Sequence, residues 1–397
     1  MKIIFLKAYD FPFGGAPQNR LLGICRGLIE EGHEVEVHQY TPAKLNIRQN
    51  HLNYQEYKSV KIYNHAWRWS PIRSKYHQII GIMEGGLKTI AAIIKNNYKS
   101  NIDYIFINSS KNAYTIPIYL LAKVIGAKLG RDLNEYPQNI LISKHSDPLQ
   151  ENNNSNIKYK YFDVLFIITQ NLISYYRPLL KKHARILHLP VTVDIDRFPN
   201  SVKDLSNNNI ITYCGDLSQS KDGVMDLIKS FSIISEEFPD INLKLIGKNN
   251  DSYYMKSLTK LIADLYLSDR VVLTGYMNPD DIPVELYKSR LLVLSRPDNI
   301  QARGGFPTKL GEYLATGVPV VVTSVGELPH YLEDEKNAFM AISGDIGSFA
   351  DAMRRALSND KLSIQVGLAG RETALNYFSH EAQGKLISEF LHKVNHI

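Results

Sequence analysis

At 397 residues the chain is too long for one ordinary core, so two or three domains are expected. A composition of 44% hydrophobic and 22% charged residues excludes a mostly disordered chain, and two cysteines exclude a disulfide framework or a cysteine-based metal site. The formal charge of +6 and a pI near 8.9 favour anionic partners, with nucleic acid disfavoured because no basic block interleaved with aromatics occurs.

The start, "MKIIFLKAYDFPFGG", has too short an apolar core and no small-residue cleavage site for a signal peptide, and reads as a first strand. The longest apolar runs, such as "IAAII" and "PVVV", fall far short of the ~20 residues that span a bilayer. With so few cysteines, a reducing cytoplasm is the expected compartment.

After the strand "KIIFLK" comes the loop "DFPFGGAPQNR", where Gly14 and Gly15 allow close backbone approach. The helix start behind them offers N–H groups to a phosphate, the alternative being a plain left-handed turn. The loop does not match G-x-G-x-x-G, which argues against a nicotinamide dehydrogenase. Helix "APQNRLLGICRGLIEEG" carries Leu21, Cys25, Leu28 and Ile29 on one face, stops at Gly32, and leads into the strand "HEVEVHQY". This is a βαβ unit. In "NHAWRWSPIRSKYHQ", Trp67 and Trp69 flank Arg68. Together with Arg20 they form a candidate acceptor or membrane patch, the alternative being a loop that packs its aromatics on the core.

Strands "YIFIN", "GAKLGRDL" and "VLFIIT" continue the alternation, and "LQENNNSNIKYK" reads as a polar loop. A second series follows "VDIDRFPNSVKDLSNNN": strand "IITYCG", helix "DGVMDLIKSFSIISEEF", strand "INLKLIG", helix "KSLTKLIADLYL", then strands "RVVLTG", "RLLVLS" and "VPVVVT". Asp194 and Asp196 have D-x-D spacing, a short pattern common by chance. Alternating strands and helices predict parallel sheets covered on both faces. The expected domains are 1–195 and 196–375, with a last helix, 376–397, that either stays with the second domain or packs back on the first.

Open sheets of this kind bind ligands beyond the carboxyl ends of their strands. In the second domain those loops are "CGDLSQSKDGV" and "ARGGFPTKLGEYLATG". Lys221, just before the helix start expected at Asp222 and Gly223, suits a phosphate; a solvated lysine is the ordinary alternative. Lys309 stands in the first turn of a helix, where a cation opposes the helix dipole by ~0.3–1 kcal/mol. Either it serves a bound anion or it forms a surface pair with Glu312 three residues on.

Taken in order and spacing, "FGGAPQNRLLGICRGLIEEGHEVEV", "GDLSQSKDGVMDLIKSF" and "FPTKLGEYLATGVPVVVTSVGELP" resemble retaining glycosyltransferases of the GT-B fold, family 4. "PVTVDIDRF" is similar to that family's interdomain segment, which argues further against a D-x-D metal site. The resemblance implies an α/β chain of two Rossmann-like doubly wound domains facing across a cleft. It implies a nucleotide-diphosphate sugar on the second domain, a glycan or lipid-linked acceptor on the first, and no cofactor or metal. Glu312 then resembles the second glutamate of the E-x7-E motif, on the donor ribose. Lys221 resembles the donor-phosphate lysine, and Gly14 and Gly15 the first-domain glycine loop. Gly305, Phe306 and Thr308 fall within the same donor loop.

The departures carry information. Gly304 stands where the first motif glutamate should be, and Asp216 replaces a phosphate-binding arginine after Gly215. Lys309 is then expected to compensate as a phosphate ligand. In "RDLNEYPQN", Asn134 takes the place of an active-site histidine, and Glu135 becomes the candidate polar group at the acceptor, the alternative being a carboxylate paired with Arg131. The expected activity is retaining transfer of a sugar in surface polysaccharide (capsule or O-antigen) assembly, in the cytoplasm and peripheral to an anionic membrane. The competing reading is a catalytically silent subunit that binds a nucleotide sugar or glycan.

Overall fold

The computed structural model describes residues 1–8, 11–41, 52–66, 75–108, 112–137, 159–199 and 208–395. Trp67 and Trp69 lie outside these residues, as does nearly all of the loop "LQENNNSNIKYK". The chain forms two compact units, Met1–Asp194 with Ser379–Ile397, and Ile195–Phe378.

Unit 1 is built on an eight-stranded sheet in the order β3-β4-β2-β1-β5-β6-β7-β8. Its strands are β1 Lys2–Lys7, β2 Glu34–Gln39, β3 Tyr54–Tyr57, β4 Val60–Asn64, β5 Tyr104–Ile107, β6 Lys128–Leu133, β7 Val164–Ile167 and β8 Arg185–His188. All neighbours run parallel except β3 and β4. Every residue of β1, β5 and β7 is buried, as expected for central parallel strands covered on both faces. The β3–β4 hairpin was not legible beforehand. Its turn is made by Lys58 and Ser59, both with positive φ, rather than by the Asn-Gly pair that usually announces such a turn.

Helix α1, Ala16–Glu30, faces the core with Leu21, Cys25 and Leu28, and Pro17 lies in its first turn. The last helix, His380–Asn395, packs against α1 and adds Ile387, Leu391 and Val394 to the core of unit 1. The approach is close because two glycines meet: a Cβ on Gly384 would lie 2.3 Å from Gly27 O. Thus the chain leaves unit 1 after Asp194 and returns at Ser379, a few residues from the boundaries expected at 195 and 375.

Two further helices cover unit 1, α2, Lys75–Lys99, and α3, Asn112–Ile125. Among the described residues, no helix is long and apolar enough to cross a membrane.

Unit 2 is a six-stranded, wholly parallel sheet in the order β11-β10-β9-β12-β13-β14. Its strands are β9 Ile210–Cys214, β10 Asn242–Ile246, β11 Val271–Gly275, β12 Leu291–Leu294, β13 Val320–Thr323 and β14 Phe339–Ala341. The order reverses between β9 and β12, so the carboxyl ends of these two strands form the switch point where such sheets take ligands.

Candidate functional site

At the carboxyl end of β9 the chain departs from the expected single helix start. Ser218 caps a four-residue helix, Gln219–Asp222, and Gly223 follows at φ 63° before a second helix, Val224–Ile234. Only glycine fits there, because a Cβ would lie 2.1 Å from Ser295 O. Lys221 therefore stands within the short helix, on its exposed side. Among the described residues its ammonium makes no ion pair.

Asp222, next to it, is buried, and Lys309 reaches it across the switch point. Lys309 Nζ donates to Asp222 Oδ2 at 2.6 Å and to Tyr213 Oη at 3.0 Å, and lies 4.6 Å from the centre of the Tyr213 ring. Tyr213 Oη in turn donates to Asp222 Oδ2 at 2.8 Å. Burial pushes the Asp222 carboxyl up, but Lys309 and the tyrosine hydroxyl more than offset this and hold it below the usual carboxylate range. The anion that Lys309 serves is thus Asp222, and its charge is already matched. Lys309 stands in a buried ion pair, and the alternative Lys309–Glu312 pair does not form.

Glu312 pairs with Arg197 instead, accepting Arg197 Nη1 on Oε1 at 2.9 Å. Burial pushes its carboxyl up, while Arg197 and Lys309 pull the other way. Oε2 makes no hydrogen bond among the described residues, so one acceptor oxygen is left to a ligand. Glu312 and Lys309 belong to helix Thr308–Ala315, which begins one residue after Pro307 and is held by Tyr313, whose hydroxyl donates to Cys214 O. Thr308 is half-buried on the same helix, Phe306 is buried against Tyr331 and Phe378, and Gly305 follows helix Ile300–Gly304. Gly304 is buried and offers no carboxylate, and Asp216 is exposed.

Sequence reasoning missed three members of this group. Tyr213 looked like an ordinary strand residue, Asp222 a helix-start residue and Arg197 part of the linker. No local signal marks partners separated by 87 to 115 residues. A fourth, Arg296 at the end of β12, is buried beside Asp222, and its Nε has no partner among the described residues.

In unit 1 the expected residues part company. Gly14 and Gly15 precede α1 without positive φ, so the plain left-handed turn is excluded, and Gly15 is exposed. Arg20 does not join a surface patch. It is buried, its Nε and Nη2 donate to the two oxygens of Asp132 at 3.0 and 3.1 Å, and two further donors reach Leu189 O and Pro190 O. Its fork matches the carboxylate, and four of its five N–H donors are used within the unit. Glu135 is exposed, while Arg131 is buried beneath the Tyr159 and Phe162 rings, so that expected pair is absent too. Asn134 donates to Asp132 at 3.1 Å and keeps a buried Oδ1 without a partner among the described residues. Asp194 has its two oxygens on cations, Arg26 and Lys58.

Residues 194–373 match the family described as glycosyl transferases group 1. The GDP-mannose-dependent alpha-(1-6)-phosphatidylinositol monomannoside mannosyltransferase of Mycolicibacterium smegmatis is 24% identical over 241 residues, 58% of this chain and 62% of that protein. The capsular polysaccharide biosynthesis glycosyltransferase CapM of Staphylococcus aureus is 26% identical over 179 residues, 45% of this chain and 44% of that one. The matches span less than two thirds of these relatives' lengths. Among solved structures, Anabaena HepE in complex with UDP and glucose superposes with a TM-score of 0.67 at 18% identity, covering 99% of both chains. The sucrose-phosphate synthase of Thermosynechococcus elongatus gives 0.72 at 15% identity, over 100% of this chain and 99% of that one. Their likeness is one of fold. Residues 194–373, which carry the site of unit 2, match the glycosyl transferases group 1, and the chain has the two-domain GT-B fold.

Proposed function

We propose that the protein transfers a sugar, with retention, from a nucleotide-diphosphate donor to a glycan or lipid-linked saccharide acceptor during surface polysaccharide assembly. The observation that carries this reading is the exposed Lys221 beside a fully matched Lys309–Asp222 pair at the switch point of unit 2. Departure of a nucleoside diphosphate needs charge stabilisation aimed in advance at the leaving group, and such fixed electrostatics are usually the largest catalytic contribution. Lys221 is the cation left to supply it. Lys309 is a positioning residue: it fixes Asp222, and so the short helix that presents Lys221. The free Oε2 of Glu312 accepts from a ribose hydroxyl while Arg197 orients the carboxylate.

On this reading Glu135 is the polar group beside the acceptor, and Gly14 and Gly15 allow its backbone approach. Attack by the acceptor hydroxyl on the face the diphosphate leaves requires no enzyme nucleophile. No resident cofactor or metal is part of the proposal, and the protein works at the cytoplasmic face of an anionic membrane. Both HepE, seen with UDP and glucose, and CapM, named for capsular polysaccharide, support the class of donor and product.

The test is release of nucleoside diphosphate from UDP- and GDP-sugars with and without saccharide acceptors. Lys221→Ala should weaken nucleoside diphosphate binding by the ~1.5–3 kcal/mol of a charged hydrogen bond, with stability changed by no more than ~0.5 kcal/mol. Unchanged affinity would remove Lys221 from the site. Gly304 in place of the motif glutamate favours a second reading, a silent binding subunit. Donor binding without release under any acceptor would establish it.

A further inference from the structure

Between α2 and α3, unit 1 holds a cavity of about 450 Å³, within the ~300–1,000 Å³ typical of ligand sites. Leu6, Tyr40 and Ile107 form part of its wall and lie at or just beyond the carboxyl ends of β1, β2 and β5. This is the ligand-binding edge of a sheet of this kind. The rest of the lining comes from the two helices, including Leu87, Ile90 and Ile118. Among the described residues no charged side chain lines it, the Thr89 hydroxyl is committed to Gly85 O at 2.7 Å, and the other side-chain polar groups are the Tyr40 and Tyr114 hydroxyls. A sugar or nucleotide, which needs many polar partners, would find two phenol groups and no charge among the described residues there. A hydrocarbon chain requires no such bonds.

Two adjacent glycines in the middle of α2 point the same way. Each costs roughly 0.5–1 kcal/mol relative to alanine in a helix. Gly85 is accounted for by packing, since a Cβ there would lie 2.5 Å from Tyr40 O and 3.1 Å from Ala66 Cβ. Gly86 is not: a Cβ would meet nothing within 4 Å, and Gly86 lines the cavity. What its missing side chain preserves is open space.

The outer faces of these helices complete the pattern. Leu87 is 68% and Val124 is 85% exposed. Across α2 and α3 the sequence has five lysines, Lys75, Lys88, Lys95, Lys99 and Lys123, against the single acid Glu84. Glu84 is paired with Lys88, and the cationic surplus of the two helices that bound the cavity complements a lipid that carries a phosphate on its hydrocarbon chain.

We propose that this cavity binds the hydrocarbon chain of a lipid-linked, phosphate-bearing acceptor. The word acceptor rests on the transferase reading above; binding of the chain does not. The probes are alkyl phosphates of four, eight and twelve carbons and inorganic phosphate, each displacing a fluorescent fatty acid from the full-length protein. Affinity should rise about fourfold per CH₂, the equivalent of ~0.8 kcal/mol per methylene. Gly86→Leu should fill the cavity and weaken dodecyl phosphate at least tenfold, while Gly86→Ala binds it within about twofold of the wild type. Both variants should melt no lower than the wild type, which separates a filled cavity from a damaged fold.

Equal binding of butyl and dodecyl phosphate would overturn the proposal. So would a Gly86→Leu variant that binds dodecyl phosphate normally, or attachment to phosphatidylglycerol vesicles as the sole interaction, indifferent to that substitution. The two readings fail separately. Length-dependent binding without donor turnover sinks the transferase reading alone, and donor turnover without length-dependent binding sinks the cavity alone.

Discussion

The ligand-binding edges of the two sheets use the same βαβ grammar and present opposite chemistry. In unit 2 the edge is crowded with charge: Lys221, the Lys309–Asp222 pair, the Glu312–Arg197 pair and Arg296. In unit 1 the charge at the corresponding edge is locked inward, with Arg20 clamped on Asp132, and the open space is apolar. The difference lies in what the ion pairs are free to do. Arg20 is buried, with four of its five donors bonded inside the unit. Lys309 is 16% exposed on a flexible stem, and its pair stands beside the exposed Lys221, which it positions under the proposed function.

The strongest way to break this contrast is to remove Arg20. Arg20→Ala leaves Asp132 buried without its counter-ion and should cost ~3–5 kcal/mol in urea unfolding, while nucleoside diphosphate affinity stays unchanged. A loss of affinity without loss of stability would return Arg20 to the ligand-binding surface.

The corresponding change in unit 2 should be milder and carry a functional cost. Lys309→Met and Asp222→Asn should each lower stability by ~1–3 kcal/mol and also weaken nucleoside diphosphate binding. The double variant should be no worse than the poorer single one, because both remove the same support for Lys221. Additive losses, or tighter binding in Asp222→Asn, would show that Lys309 contacts the phosphates itself.

The smallest effect concerns pH and separates the units by their titrating groups. Burial lowers the His33 and His65 imidazoles of unit 1 to about 4; the N-terminal ammonium and His392 add to this at His33, and His38 and Lys88 at His65. Folded values below the unfolded ~6.5 mean the fold prefers the neutral rings. Their contribution is fully present above pH 6.5 and is lost as pH falls through 4. By pH 5.5 it should have fallen by about 1 kcal/mol per histidine, allowing for screening. The Asp222 carboxyl, held below its ordinary value, is lost only at more acid pH. Hydrogen exchange across pH 7 to 5 should loosen unit 1 first, and equal loosening of both units would remove the distinction.

Much of the fold was legible because its signals are local. The buried β1 run "KIIFLK", the apolar face of α1 and the "PVVV" strand need only neighbours in sequence to be recognised. The β3–β4 hairpin was hidden because Lys58 and Ser59 are poor turn signals. The cavity was hidden because it lies between helices that no motif announces.

Within the site, the sequence by itself placed Lys221, Lys309 and Glu312 in segments that follow the carboxyl ends of parallel strands, since that placement follows from the alternation of strands and helices. It also marked Lys309 as a cation out of place at a helix start. Only the tertiary structure decided which charges cancel. Asp222 is 87 residues from Lys309, Arg197 is 115 from Glu312, and Asp132 is 112 from Arg20. Electrostatic pairing depends on distance through space and on burial, and neither is written in the spacing of residues along a chain.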